Sequence, residues 1–324
     1  MSSDTLLYLS AQDVADVGLV MREIIEALER MFREKGKGEV EMPPKPGIHP
    51  RKDAFIHAMP AFIPSFAAAG IKWVSGYPSN PEKGLPYISG LLILNDPATG
   101  VPIAVMDATW ITAMRTGAAT AVAGKYLARE GSQTVGIIAC GVQGRSNLEA
   151  LCCVFDLKSV KAYDIVPEAA ERFAAEMSET YGVEVEVVAH PRDAVVGLDL
   201  VVTSGPILKE PNPPIEAGWL SPGAFACALD FDSYWQGSAL READKLATDD
   251  IGQLEYYRGV GFFRETPQPQ ADLGEIVSGL KPGRESEHER AICINLGLAL
   301  EDLTTASLIY ERAKQRGIGT ELPL

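Results

Sequence analysis

The sequence predicts an α/β chain of two domains, one of them built on a doubly wound parallel sheet. A chain of 324 residues, 46% of them hydrophobic, is long enough to bury two cores of ordinary domain size. From Gln133 onward, short apolar runs alternate with helical segments, which is the pattern of parallel strands joined by helical crossovers. Before that point a helical segment precedes several β-like runs, which indicates a separate α+β unit.

Charge and composition exclude several classes of function. The 29 Lys and Arg residues against 44 Asp and Glu give a net charge of −15, and this field opposes binding to nucleic acid or to anionic membranes. The longest nearly apolar run, residues 61–71, is shorter than the roughly 18 to 20 residues of a membrane span. Residues 1–4 show no secretory signal, so we expect a cytoplasmic protein without membrane or nucleic-acid partners.

The spacing of cysteine and histidine favours neither disulfides nor a metal centre. The five cysteines are an odd set without a CxxC pair, which is typical of reduced, buried thiols. The four histidines have no zinc-ligand spacing with cysteine or with one another. We therefore predict that the protein binds no metal.

The elements of the first half follow from hydrophobic periodicity. A helix is predicted over the first forty residues, beginning at a capping box of Ser10 with Asp13 and ending at Gly36 and Gly38. Four β-like runs follow, at residues 54–59, 70–75, 88–95 and 101–106, with a hairpin turn at 96–100. A helix rich in small residues is predicted at about residues 110–129, where glycine and alanine permit close packing against a neighbour.

The second half is predicted to alternate between strand and helix. Strands are expected at 134–140, 160–164, 183–188, 198–203 and 224–229, with helices at 147–155 and 168–181. A long final helix is predicted over residues 291–314, and we expect it to pack on the first unit. The predicted domains are residues 1–118, completed by 300–324, and residues 119–299.

The loop after the first strand of the alternating half is similar to a dinucleotide-binding fingerprint. Residues 139–144 read Ala-Cys-Gly-Val-Gln-Gly between a strand and a helix, so Gly141 would let the backbone approach a pyrophosphate at a helix N-terminus. Ala139 replaces the first glycine, which is compatible with the turn only if its φ stays negative. Asp164, twenty residues beyond Gly144, ends the next strand and can accept hydrogen bonds from ribose hydroxyls.

The carboxylate of Asp164 favours NAD over NADP, because a 2′-phosphate would meet like charge. Lys161 or Arg145 nearby could reduce that preference. Further candidates for cofactor contacts lie at the carboxyl ends of predicted strands: Gln143, Thr203 and Ser204. The alternative interpretation is an ordinary strand-to-helix turn with a solvated aspartate at the strand end.

Two cations of the predicted α+β unit are candidates for substrate binding. Lys72 lies on a strand, on the face opposite Ile71 and Trp73, and is either a snorkelling surface lysine or an inward-facing charge. Arg115 has no acidic residue four positions before or after it, so it needs a partner elsewhere in the fold or a ligand. A guanidinium together with an ammonium would suit a substrate carboxylate.

Two acids follow an apolar strand near residue 230. Asp230 and Asp232 come after the run at residues 226–229. A carboxylate there can act as a general base toward an amine or water, with its pKa raised by burial. The alternative is an aspartate that caps or turns the following segment.

Together these residues resemble the ornithine cyclodeaminase/μ-crystallin family over about residues 42–322. Ordered stretches along the chain carry the resemblance: residues 42–45, 59–61, 72–74, 78–80, 111–116, 141–143 and 296–302, with Asp232. The resemblance implies an NAD-binding Rossmann domain and a discontinuous α+β domain that binds substrate and forms a homodimer. It also implies chemistry at the Cα–N bond of a small amino acid, imino acid or 2-oxo acid.

The resemblance also implies roles for individual residues. Asp232 corresponds to the catalytic acid/base, and Lys72 belongs to both the catalytic and the substrate-binding set. The expected substrate-binding residues are Lys45, Lys72, Arg115, Leu296 and Gly297. The expected cofactor-binding residues are Thr116, Gly141, Val142, Gln143, Asp164, Thr203, Ser204 and Asn295. Lys45 stands where the family often has arginine, and the bulky Tyr234 and Trp235 follow Asp232, so the substrate pocket is expected to differ from that of the ornithine-cyclising relatives.

The sequence therefore predicts an NAD-dependent oxidoreductase of amino-acid dehydrogenase or imine reductase type, acting by hydride transfer between Cα and nicotinamide. One alternative is ornithine cyclodeaminase proper, which converts ornithine to proline and ammonia. The other is a non-catalytic protein that binds NAD(P)H and a ligand, as μ-crystallin does. A pure binding protein would not need an acid/base beside the cofactor.

Overall fold

The structure, a computed structural model, describes residues 5–324. In chain order its strands are β1 (Thr5–Leu9), β2 (Gly47–Ile48), β3 (Phe55–Ile63), β4 (Ala68–Gly76), β5 (Ile88–Asn95), β6 (Pro102–Asp107), β7 (Thr134–Ile138), β8 (Ser159–Tyr163), β9 (Glu184–Val187), β10 (Leu200–Thr203), β11 (Phe225–Ala228), β12 (Lys245–Thr248), β13 (Ala271–Asp272), β14 (Ala291–Ile294) and β15 (Thr320–Pro323). Its α-helices are α1 (Ala11–Asp16), α2 (Met21–Gly36), α3 (Thr109–Leu127), α4 (Val142–Val154), α5 (Pro167–Tyr181), α6 (Gly237–Leu240), α7 (Ile251–Gly259), α8 (Leu273–Val277) and α9 (Ala299–Arg316).

The described chain divides into two compact units. Unit 1 contains residues 5–115 and Leu298–Leu324, and unit 2 contains Thr116–Gly297. The divisions therefore fall within α3 and just before α9, whereas the sequence prediction put them at 118/119 and 299/300. No helix within residues 5–324 has the length and apolar character needed to cross a lipid bilayer.

Unit 1 is a seven-stranded sheet with helices packed on one face. The strand order is β15-β1-β6-β5-β4-β3-β2, and within this sheet of the described chain only β1 and β6 pair in parallel. Helix α9 packs against β3, β4, β5 and α2. Because successive side chains of a strand point to opposite faces, Lys72 and Val74 of β4 are buried whereas Trp73 is exposed.

The first predicted helix begins where expected but is not continuous. Ser10 caps α1 through a capping box with Asp13, which confirms that prediction. The expectation of one helix up to Gly36 was wrong, because the chain leaves α1 after Asp16 and turns through Gly18, whose φ is +64°. Strand β1, which precedes α1, was not predicted.

Unit 2 confirms the predicted doubly wound parallel sheet. Eight parallel strands lie in the order β13-β12-β14-β11-β10-β7-β8-β9. The order reverses between β7 and β10, and the carboxyl ends of strands beside such a switch point form the usual ligand-binding edge. The helix predicted at 147–155 begins earlier, at Val142, directly after Gly141.

The prediction of a helix over residues 291–314 was wrong at its beginning. Residues Ala291–Ile294 form β14, a fully buried strand between β11 and β12, and α9 begins only at Ala299. A short apolar run looks alike whether it is buried in a helix or on both faces of a parallel sheet, so periodicity could not separate the two. The unpredicted β12 pairs with β14 along its whole length.

Candidate functional site

In unit 2, the loop from β7 to α4 leaves an open approach to a helix N-terminus. Gly141 is the N-cap of α4 and provides no side-chain cap, so the first N–H groups of the helix have no partner from the capping residue. A Cβ on Gly141 would meet no atom within 4 Å, whereas a Cβ on Gly144 would lie 2.6 Å from the Ala139 oxygen. Gly144 therefore allows close packing of helix on strand, and Gly141 keeps the loop open.

Ala139 adopts a backbone conformation that the sequence did not predict. Its φ is +75°, so the expectation of a negative φ was wrong. A left-handed conformation costs a residue with a Cβ roughly 1–2 kcal/mol. The turn is held by hydrogen bonds: the Ala139 N–H donates to Tyr163 O at 2.9 Å, and Ser204 Oγ donates to Ala139 O at 3.1 Å.

Asp164 lies directly after β8, beside this loop. Its Oδ2 accepts a hydrogen bond from the Cys140 N–H at 2.8 Å, and its Oδ1 accepts one from the Val166 N–H at 2.9 Å. Each carboxylate oxygen has two acceptor sites, so acceptor capacity remains for ligand hydroxyls. The carboxylate is thus fixed at the place where an adenosine ribose binds in folds of this kind.

Asn295 follows β14 at the carboxyl edge of the parallel sheet and has an unsatisfied buried donor. Its N–H donates to Ala228 O at 2.9 Å, and its Oδ1 accepts from the Cys293 thiol at 3.1 Å. Its Nδ2 is buried without a hydrogen-bond partner in the described chain. Buried polar atoms are normally paired, so this amide fits a polar ligand at the edge. With open Gly141, uncapped α4 and Asp164, the residues present fit a dinucleotide.

The other predicted cofactor contacts of unit 2 differ in their exposure and in the hydrogen bonds that they already make within the chain. The carbonyl of Gln143, in the first turn of α4, accepts from Asn147 Nδ2 at 2.8 Å. Val142 is largely exposed, and Thr116 is buried in α3. The Thr203 hydroxyl accepts from Trp235 Nε1 and donates to Asp230, both at 3.1 Å, so it orients a carboxyl group.

Asp230 is a fully buried carboxyl group at the carboxyl edge of the sheet. Its Oδ1 accepts from Thr203 Oγ1 at 3.1 Å, and its Oδ2 accepts from the Gly205 N–H at 3.3 Å. Burial, reinforced by the charge of Asp232, raises the pKa of Asp230 to about 7, against the effect of those hydrogen bonds. A carboxyl group with a pKa near 7 is suited to proton transfer at neutral pH.

Asp232, the acid/base implied by the family resemblance, lies two residues further along. Its Oδ2 accepts from the Phe263 N–H at 2.7 Å, and its Oδ1 is buried without a hydrogen-bond partner in the described chain. Burial raises the pKa of Asp232 as well. Phe231 between the two acids has a φ of +58°, a strained conformation for a residue with a Cβ. Asp230 is fully buried, and Asp232 is half-buried.

The two cations singled out in the sequence lie together in unit 1 with two acids of α9. Lys72 Nζ lies 2.7 Å from Asp302 Oδ2, and Arg115 Nε lies 3.0 Å from Asp302 Oδ1. Arg115 Nη1 also contacts Glu301 Oε2 at 2.7 Å. We call Lys72, Arg115, Glu301 and Asp302 the ion-pair cluster. Of the two alternatives for Arg115, a partner elsewhere in the fold or a ligand, the structure shows distant partners. The snorkelling interpretation of Lys72 was wrong because only 1% of Lys72 is exposed.

Lys45 and His57 are two further buried residues of unit 1, and the charges of Lys45 and Lys72 act on His57. Lys45 is buried after two prolines, although it lies outside any helix or strand. Burial and the charges of Lys45, His49 and Lys72 lower the pKa of His57 to about 3, so this imidazole is neutral. His57 was not among the residues predicted from the sequence, although the alternation of β3 puts it on the inner face beside Met59.

The turn predicted to flank the substrate has well-defined supports within unit 2. Gly297 has a φ of +78°, and its N–H donates to Asp249 Oδ2 at 2.7 Å. Gln253 Nε2 donates to the Gly297 carbonyl at 3.2 Å, and Leu296 is buried. A Cβ at position 297 would impose strain because of the positive φ. Within residues 5–324, no three His, Cys, Asp or Glu side chains are grouped so that they could hold a metal ion.

Comparison with known proteins gives the family. The model of the ornithine cyclodeaminase/mu-crystallin family matches residues 6–317. The chain belongs to the ornithine cyclodeaminase/mu-crystallin family. It is 37% identical to alanine dehydrogenase of Archaeoglobus fulgidus over 98% of both chains.

Solved structures of this family contain the cofactor that the sequence predicts. The structure of Δ1-pyrroline-2-carboxylate reductase from Thermococcus litoralis, in complex with NADH and L-proline, has a TM-score of 0.88 and 37% identity, covering 97% of this chain and 99% of the reductase. An archaeal alanine dehydrogenase dimer with bound NAD also has a TM-score of 0.88, with 36% identity, covering 98% and 99%. These family members are oxidoreductases, and their folds confirm the predicted fold class.

For this family member, we expect carboxylate affinity to fall as the pH rises through 8. Burial, followed by the charge of Arg115, lowers the pKa of Lys72 to about 8, although Asp302 and Glu301 oppose that shift. Lys72 is thus charged below pH 8 and neutral above it, and only the charged form attracts a carboxylate. The inhibition constant of propionate, which has no amine to titrate, should rise by about 10-fold between pH 7 and pH 10. A constant value over that range would exclude Lys72 as a ligand of the carboxylate.

Proposed function

We propose that the chain catalyses hydride transfer between NAD(H) and Cα of a small 2-amino or 2-imino acid. The observation that carries the proposal is the buried cation pair Lys72 and Arg115, in a chain whose relatives include a dehydrogenase bound to NAD and a reductase bound to NADH and L-proline. Two fixed cations give a carboxylate both charge and direction. The substrate therefore carries a carboxylate on Cα, and hydride transfer either oxidises the amine at Cα or reduces the corresponding imine.

The proposed roles follow from what each group can do. Lys72 and Arg115, with Lys45, hold the substrate carboxylate, which removes the rotational freedom of the reacting carbon. The carboxyl groups of Asp230 and Asp232 exchange a proton with the amine or with water. NAD, when bound through Gly141, Asp164 and neighbouring residues, supplies the hydride acceptor or donor. Leu296 and Gly297 flank the substrate.

Change in NADH fluorescence with a panel of substrates tests the proposal. L-alanine and L-proline would be given with NAD, and pyruvate with ammonia or Δ1-pyrroline-2-carboxylate with NADH. We expect turnover with at least one of these pairs. Proline formed from ornithine without net NADH would instead select the cyclodeaminase. NADH binding without turnover of any substrate would contradict the proposal and favour a non-catalytic binding protein.

We further propose that Asp164 makes the chain prefer NAD over NADP. Its carboxylate, fixed beside the dinucleotide loop, would repel a 2′-phosphate and accept hydrogen bonds from the ribose. In Asp164→Ser, the ratio of kcat/KM for NADH to that for NADPH should fall by about 10-fold or more. Glu186→Gln, which removes an acid from β9 of the same sheet, is the matched control. An unchanged ratio in Asp164→Ser would remove this role from Asp164.

We also propose a homodimer formed through the outer face of the unit 1 sheet. Trp73 and Leu91 are paired across β4 and β5, and each is about half exposed, at 51% and 49%. Exposed apolar side chains of this size on a regular sheet are typical of an interface. The NAD-bound archaeal alanine dehydrogenase is a dimer. None of the five cysteines, all within residues 5–324, forms a disulfide, which fits the reducing cytoplasm that we propose as the location.

A substitution that introduces one charge on that face tests whether the protein forms this dimer. In Trp73→Glu we expect a buried, unpaired carboxylate to disrupt the interface, so light scattering should give the monomer mass. Leu280→Glu, at an exposed apolar residue of unit 2, should keep the mass of the native protein. If Trp73→Glu folds and keeps the native mass as well, the interface lies elsewhere or the protein is a monomer.

A further inference from the structure

Two buried acids at the start of α9 have no role in the proposed chemistry so far. Glu301 and Asp302 lie in the first turn of the helix, where acidic residues commonly face solvent and interact with the helix dipole. Both are fully buried instead. Burying two carboxylates is costly unless each is paired, so their partners indicate what they do.

Their partners are the two cations that we propose as ligands of the substrate carboxylate. Asp302 contacts both of them, with one oxygen on Lys72 Nζ at 2.7 Å and the other on Arg115 Nε at 3.0 Å. Glu301 contacts Arg115 Nη1 at 2.7 Å. Lys72 Nζ also donates to Thr112 Oγ1 at 3.4 Å. Lysine has four rotatable bonds and arginine a planar guanidinium group, so the contacts with Asp302 and Glu301 restrict the direction of both cations further.

We propose that Asp302 is a positioning residue for substrate binding, which joins Lys72 and Arg115 into one rigid carboxylate-binding unit, with Glu301 fixing the second nitrogen of Arg115. This inference rests on the proposed function. Asp302 does not touch substrate; it acts through the two cations. The alternative is an ion pair that only stabilises unit 1.

The charged groups around Lys72 set its pKa, so the pH dependence of carboxylate binding can distinguish a positioning role of Asp302 from a purely structural ion pair. Lys72 is faced by Asp302 and Glu301 from α9, by Arg115 from α3 and by His57 from β3, and His57 is neutral. Asp302 is the main group that raises the pKa of Lys72, and Arg115 and burial lower it. Without the charge of Asp302, Lys72 should lose its proton at a lower pH.

The experiment compares Asp302→Asn with the native protein, using Glu311→Gln, an exposed acid of the same helix, as control. For the substrate with highest turnover, kcat/KM of Asp302→Asn should fall by about 10-fold or more, mainly through KM, with NADH affinity unchanged. The pH above which propionate binding weakens should also move below 8. Normal kcat/KM and an unmoved pH profile, with only a lower Tm, would overturn the proposal.

A separate readout does not depend on turnover. If Asp302 neutralises Lys72 and Arg115, its loss leaves two like charges buried together at low pH. The Tm of Asp302→Asn should then be most depressed at pH 6 and should approach the native value toward pH 9, because Lys72 deprotonates early in the variant. A Tm deficit that does not change with pH would overturn the pairing itself. Absence of turnover in the native protein, with this pH dependence intact, would instead reject the proposed function.

Discussion

Asp230→Asn should lower kcat by about 10²- to 10⁴-fold, the usual loss when a general acid/base is removed. Burial raises the pKa of Asp230 to about 7, so its carboxyl group can both take and return a proton at neutral pH. Asparagine keeps the shape and the hydrogen bond from Thr203 but cannot exchange the proton. Steady-state kinetics and NADH fluorescence titration would measure the effect, and NADH affinity should change little.

Asp232→Asn is the matched comparison, because the family resemblance assigns the role of catalytic acid/base to Asp232. We expect a smaller loss of kcat in Asp232→Asn, because the carboxyl group of Asp230 remains. The charge of Asp232 raises the pKa of Asp230, and this variant removes that charge. The acidic limb of the kcat profile in Asp232→Asn should therefore move to lower pH. Full activity of Asp230→Asn, with a large loss in Asp232→Asn, would show that Asp232 is the acid/base. Exposed Asp156→Asn controls for nonspecific effects.

Arg115→Met should have the second largest effect, on both substrate binding and stability. The variant loses the guanidinium and leaves Glu301 buried without its ion-pair partner. Removal of one partner from a buried ion pair costs about 3–5 kcal/mol of unfolding free energy. We expect KM for the carboxylate substrate to rise by about 100-fold, the effect of losing a strong charge-assisted hydrogen bond. Urea unfolding and steady-state kinetics provide the two measurements.

Arg115→Lys distinguishes charge from geometry in the same position. Lysine keeps one positive charge but cannot contact Glu301 and Asp302 through two nitrogens of one plane. We expect most of the stability to return while KM remains raised. A KM equal to that of the native protein in Arg115→Lys would mean that charge alone is sufficient. A native KM in Arg115→Met would remove Arg115 from the substrate site.

Local patterns were sufficient wherever the signal lies within one element or one turn. The capping box of Ser10 and Asp13 and the β7-loop-α4 segment around Gly141 are of this kind. The alternation of strands and helices after Gln133 predicted the parallel sheet, because crossovers of this type require that order. Ala139 is the exception in this region, since the turn imposes a positive φ on a residue that disfavours it.

Local patterns of this kind could not predict which distant segments of the chain pair with one another. Residues Ala291–Ile294 read as the beginning of a helix until β11 and β12 provide partners on both sides. Glu301 and Asp302 read as ordinary acids of a helix N-terminus, because nothing local indicates that Lys72 and Arg115 lie against them. Burial likewise separates Asp230 from Asp232, which are equivalent in a strand-end motif.

The sequence by itself determined the family, the fold class, the dinucleotide loop and the candidate cations Lys72 and Arg115. These depend on residue type and spacing along the chain, which the sequence contains directly. The tertiary structure alone decided which acids pair with those cations and which carboxyl group has a pKa near 7. Both outcomes depend on desolvation and on charges brought together from distant segments, and a pKa or an ion pair exists only once folding has set those distances.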